Sequence, residues 1–88
     1  MDFERECKIL ISQGQLDALQ AKYRDFLEEY DVKQSSWQYV YVQLYTHACL
    51  KKQKVIADWL KSLYEDFSTV DKIALRQCFA YGNYLMRH

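Results

Sequence analysis

The 88 residues carry 12 basic and 12 acidic side chains, for a net charge of zero, with half the chain apolar and 16% aromatic. That length suits one domain with a modest core, and the charge balance lacks the basic excess of nucleic-acid binders. No apolar run reaches the ~18 residues of a membrane span and no basic-then-apolar leader is present, so a single-domain cytoplasmic protein is expected, without membrane or nucleic-acid partners.

Proline is absent and glycine occurs twice, so few positions punctuate a helix. The first helix is predicted over 2–12, with Phe3, Cys7, Leu10 and Ile11 on one side. Gly14 ends it. The second, over 15–30, carries Leu16, Leu19, Tyr23, Phe26, Leu27 and Tyr30 in a narrow line with charges opposite. Ser35 and Gln38 are spaced as a capping box opening a third helix over 36–50. That helix has Trp37, Val40, Tyr41, Leu44, Tyr45, Ala48 and Cys49 on one side and Tyr39 and Val42 off it, as a central or partner-binding helix would.

Lys51, Lys52 and Gln53 form the predicted turn into a fourth helix over 54–67, with Val55, Ile56, Trp59, Leu60, Leu63, Tyr64 and Phe67. Ser68 or Thr69 can cap a fifth over 70–81, with Asp71 at its positive end and Val70, Ile73, Ala74, Cys78 and Tyr81 as its apolar line. Gly82 is predicted to end that helix and Asn83 to start a truncated sixth. The expected fold is all-α: antiparallel helical hairpins over 2–30, 36–67 and 70–88 in one domain, 1–88.

Gly14 and Gly82 lie 68 positions apart, twice the ~34-residue length of a tetratricopeptide unit. Phe3, Cys7, Leu10, Gly14, Leu16, Leu19, Tyr23 and Phe26 fall where that repeat places its large, small and turn residues. Trp37, Tyr41 and Leu44 follow Phe3, Cys7 and Leu10 by 34 positions, and Leu75 and Cys78 follow Cys7 and Leu10 by 68. The chain resembles a tetratricopeptide array on these residues. It departs at Tyr41, where the family has a small side chain, at Asp71, where it has a large apolar one, and in a stretched second hairpin. A plain helical bundle is the other reading of the same periodicity. An ankyrin-like helix pair is a third, suggested by His47-Ala48-Cys49-Leu50 followed by Val55 to Leu60.

Catalytic and metal chemistry find little support, and no enzyme activity, cofactor or metal is expected. His47 and Cys49 point to different sides of a helix, and no four-ligand spacing for zinc occurs. Cys7, Cys49 and Cys78 cannot all pair within one chain, none is in a C-x-x-C, and all read as core thiols. Glu28 with Glu29, and Glu65 with Asp66, read as solvated surface.

The tetratricopeptide resemblance implies a partner groove lined by the first helix of each unit. It would include Lys8 and Ile11, then Val42 and Tyr45, then Lys72, Arg76 and Phe79, with an apolar floor edged by cations. A second candidate surface is the open end, where Cys78, Tyr81, Tyr84, Leu85 and Met86 lack a covering helix. In size and layout the chain is similar to the small three-repeat chaperones that hold the needle subunit of type III secretion systems, usually with a small co-chaperone. The expectation is therefore a chaperone or adaptor that sequesters an amphipathic helical partner. A homo-oligomeric bundle is the alternative.

Overall fold

A computed structural model describes residues 2–29, 35–63 and 69–87, with side chains described at 3–26, 28, 39–63 and 72–87. They form five helices and no strand: α1 (Asp2–Ser12), α2 (Leu16–Glu29), α3 (Ser35–Leu50), α4 (Lys54–Ser62) and α5 (Thr69–Arg87). The first three expected helices lie where the apolar spacing put them. Leu27, Tyr30, Trp37, Tyr64, Phe67 and Val70, the Ser35–Gln38 box and the caps around Ser68 to Asp71 fall on residues or side chains outside the described set.

Two turns share one construction. Gly14 has φ +70° and Lys52 φ +58°, both left-handed. At the first, Gln15 N–H bonds Leu10 C=O at 2.9 Å and Gly14 N–H bonds Ile11 C=O at 3.0 Å. At the second, Gln53 N–H bonds Ala48 C=O at 2.9 Å and Lys52 N–H bonds Cys49 C=O at 3.1 Å. Each is a Schellman ending, which satisfies the last carbonyls of a helix through one left-handed residue. The two turns are neighbours, because the Gln53 side chain lies beside Gly14. The two left-handed turns therefore fall at Gly14 and Lys52, 38 positions apart, and not at the two glycines.

Gly82 does not end α5. The helix runs through it to Arg87, so neither the turn nor the truncated sixth helix forms, and 70–88 is not a hairpin. The physical reason is packing: Gly82 is buried against α3, and a Cβ there would fall 2.9 Å from Cys49 Sγ and into the Tyr45 ring. The missing side chain lets two helix backbones approach. The buried side of α5 is accordingly Leu75, Cys78, Phe79, Gly82, Leu85 and Met86, whereas Ile73 and Tyr81 of the expected line are 60% and 54% exposed.

α3 is the central helix and packs on α1, α4 and α5, while α2 packs on α1. Phe3 stacks on Phe26 across α1 and α2 at 4.6 Å, and Tyr23 meets Trp59 edge-on at 5.5 Å to join α2 to α4. Lys22 pairs with Glu6 between α1 and α2. Tyr41, the large residue in a position expected to be small, is accommodated fully buried, its hydroxyl donating to Leu60 C=O at 2.5 Å across α3 and α4. The radius of gyration, 12.1 Å, matches the ~12 Å of a compact globule of this length. Among the described residues no helix is long and apolar enough to cross a membrane.

Candidate docking face

The groove expected across α1, α3 and α5 is largely filled. Ile11 and Tyr45, its expected floor, are core residues with 0% and 3% exposure. They are buried because α1 and α3 pack directly on each other and α3 on α5. Phe79 is half-buried and closes the third part of that floor edge-on against Tyr45 at 5.2 Å and Tyr41 at 6.5 Å. Lys61 Nζ sits 5.5 Å from the Phe79 ring. Val42 is half-buried against the same core. Tyr41, Tyr45 and Phe79 join α3 to α5, and burial leaves Ile11 and Tyr45 no surface for a partner.

Lys8 lies elsewhere, in a shallow hollow of about 280 Å³ between α1 and α3 lined by Arg5, Lys8, Ile9, Ser12, Gln13 and His47. Ser12 Oγ and His47 Nε2 are 2.8 Å apart and tie the two helices at its base. Burial, with Lys51 and Lys8 nearby, holds the His47 imidazole below its usual range, so it is neutral at pH 7.

The remaining expected residues are on α5. Arg76 and Tyr84 are exposed, Lys72 and Leu85 half-buried, and the Leu85 carbonyl accepts a hydrogen bond from Lys52 Nζ. Tyr84 stacks on Tyr81 with ring centroids 6.4 Å apart and planes 13° from parallel. Ile73, Tyr81 and Tyr84 are each more than half exposed, at 60%, 54% and 57%. Ile73, Ala80 and Tyr84 recur at steps of 7 and 4 along one side of the helix, opposite Leu75 and Gly82. Thus α5 is apolar on both sides, and only one of them packs on α3.

That outer line is what the sequence reading missed. Once the helix is continued through Gly82, buried Leu75 and Gly82 with half-buried Cys78, Phe79, Leu85 and Met86 define the inner side and leave Ile73, Ala80 and Tyr84 outside. Ending the helix at Gly82 conceals it.

Cys7 and Cys49 belong to the core, and Cys78 packs half-buried against it. Burial pushes Cys7 up to about 12 and Cys78 up to about 11, and raises Cys49. All three are thiols, not thiolates, at neutral pH. No protein family, curated protein or solved structure matches the chain.

Proposed function

We propose that this chain is a protein-binding helical module, a small chaperone or adaptor that shelters an amphipathic helix of a partner on the outer face of α5. The carrying observation is the two-sided character of α5: Ile73, Tyr81 and Tyr84 stand more than half exposed behind a helix whose other side is core. Aromatic anchors of this kind dominate interface energetics. Covering the exposed half of each of these side chains contributes roughly 1 kcal/mol, before the costs of association. A helix laid along α5 would also supply a second helix against it, as α2 supplies one to α1 and α4 to α3.

The tetratricopeptide-like reading belongs to this proposal. Packing of α1 on α3 and α3 on α5, with α2 on α1, α4 on α3 and left-handed turns at Gly14 and Lys52, is compatible with successive helical hairpins. The resemblance suggests a cytoplasmic setting and an aggregation-prone helical subunit, such as a secretion needle subunit, as the kind of client.

The test uses two chains, wild type and Ile73→Gln/Tyr81→Gln/Tyr84→Gln, immobilised in parallel and exposed to lysate of the source organism. The substitutions are at exposed helical positions, where glutamine is a good helix former, and the variant should keep its far-UV circular dichroism. The expected result is a stoichiometric helical protein retained by the wild type and lost from the variant. Equal retention on both, or none on either, would overturn the reading.

A further inference from the structure

Taking the docking role of α5 as given, we propose that its occupant is a partner helix bearing carboxylates along one flank, and not a second copy of this chain. The outer apolar line of Ile73, Ala80 and Tyr84 has different neighbours on its two sides. Tyr81 and Ala74 lie on one flank. Lys72, Arg76 and Arg87, at steps of 4 and 11, run down the other. From position 72 to 88 the sequence contains no aspartate or glutamate. The neighbouring helix adds Lys61, whose Nζ lies over the Phe79 ring, between the core side of α5 and this basic flank. The described carboxylate of α4, Asp58, is engaged by Lys54 at 2.8 Å. From position 72 onward α5 thus carries three cations and no carboxylate beside its apolar outer line.

This distribution discriminates between occupants. Two copies meeting through α5 would bring Lys72, Arg76 and Arg87 of both chains onto a shared face to which neither α5 contributes a carboxylate from position 72 onward. Like charges juxtaposed across an interface disfavour that pairing. A helix with apolar residues at steps of 3 and 4 and glutamates on the facing flank satisfies both features, with the apolar line supplying affinity and the flank setting orientation and partner choice. Exposed pairs of this kind are screened by salt, over a Debye length of about 10 Å at 0.1 M.

The probes are two synthetic amphipathic helical peptides with the same leucine and alanine line, one with a glutamate flank and one with a lysine flank. Binding to the full chain is read by fluorescence anisotropy at low and high salt, and self-association by sedimentation equilibrium. The glutamate peptide should bind at least about tenfold tighter than the lysine peptide at low salt, and the difference should shrink at high salt. Arg76→Glu/Arg87→Glu should reverse the preference, and the milder Arg76→Gln/Arg87→Gln should abolish it. Ile73→Gln/Tyr81→Gln/Tyr84→Gln should lose both peptides. Equal binding of the two peptides, or a preference unchanged in the arginine variants, overturns the acidic partner while leaving α5 as a docking face. A wild-type dimer that dissociates on Ile73→Gln/Tyr84→Gln overturns it in favour of a second copy. Failure of both peptides to bind, with the chain monomeric, overturns the docking role itself.

Discussion

Gly82 of α5 lies against the ring of Tyr45 of α3, and the absence of a side chain at position 82 is what lets the ring be there. An alanine would gain about 1 kcal/mol of helix propensity. Its Cβ would also sit 2.9 Å from Cys49 Sγ and 3.0 Å from Tyr45 Cζ, inside van der Waals contact. Overpacking of that kind costs about 1–3 kcal/mol, and both neighbours are buried, so the steric cost exceeds the propensity gain. Gly82→Ala should lower the urea midpoint at unchanged m. A raised midpoint would mean that α5 and α3 are not in contact at this glycine.

Lys52 does with a side chain what Gly14 does without one. At φ +58° a lysine bears the steric cost of the left-handed region, about 1 kcal/mol. Against this stands the hydrogen bond from its ammonium to the Leu85 carbonyl, on the surface and worth a few tenths. The backbone term wins, so Lys52→Gly should stabilise the chain by about 0.5 kcal/mol in thermal unfolding. Lys52→Ala keeps the backbone strain and loses the bond, and should destabilise slightly. Gly14→Ala should resemble neither: it imposes that strain anew at φ +70° and is expected to cost about 1 kcal/mol.

These turns mark where the fold could be read and where it could not. The α1–α2 turn was legible because glycine is the ordinary left-handed residue, and the α3–α4 turn because Lys51 to Gln53 interrupt two apolar periodicities. Gly82 was misread because a glycine signals either a turn or a close backbone approach. Only the continuing line of Leu75, Cys78, Phe79, Leu85 and Met86 separates the two. Of the expected binding residues, Tyr84 lies on the candidate face and Lys72 and Arg76 on its flank. Ile11 and Tyr45 were drawn in by repeat analogy, which places side chains by register and carries no information on how closely α1, α3 and α5 approach.

Tyr41 offers a measure of the α3–α4 contact. Its buried hydroxyl donates to Leu60 C=O at 2.5 Å, and burial raises the phenol so that it stays protonated. Tyr41→Phe removes the donor and little volume. The Leu60 carbonyl keeps the Leu63 N–H as a second partner, so the loss should lie near 1 kcal/mol, at the low end for a buried acceptor. Guanidinium unfolding measures it; a loss above about 3 kcal/mol would imply that the ring itself had repacked.

His47 makes stability depend on pH in a defined window. Its folded pKa is depressed by burial and by Lys51 and Lys8, below the 6.5 of an unperturbed imidazole. Above 6.5 both folded and unfolded chains hold it neutral, and the stabilisation is complete. As pH falls below 6.5 the unfolded chain takes the proton first, so stability declines until the folded pKa is passed. Between about pH 5 and 6.5 ordinary carboxylates remain ionised, and Glu6, lowered by Lys22, titrates lower still, which leaves the two imidazoles, and the His47 variant separates its contribution from that of His88. His47→Gln retains groups able to bond Ser12 Oγ but cannot titrate. Urea midpoints measured across that window should slope downward toward acid for the wild type and stay flat for the variant; parallel slopes would place the titration on another group.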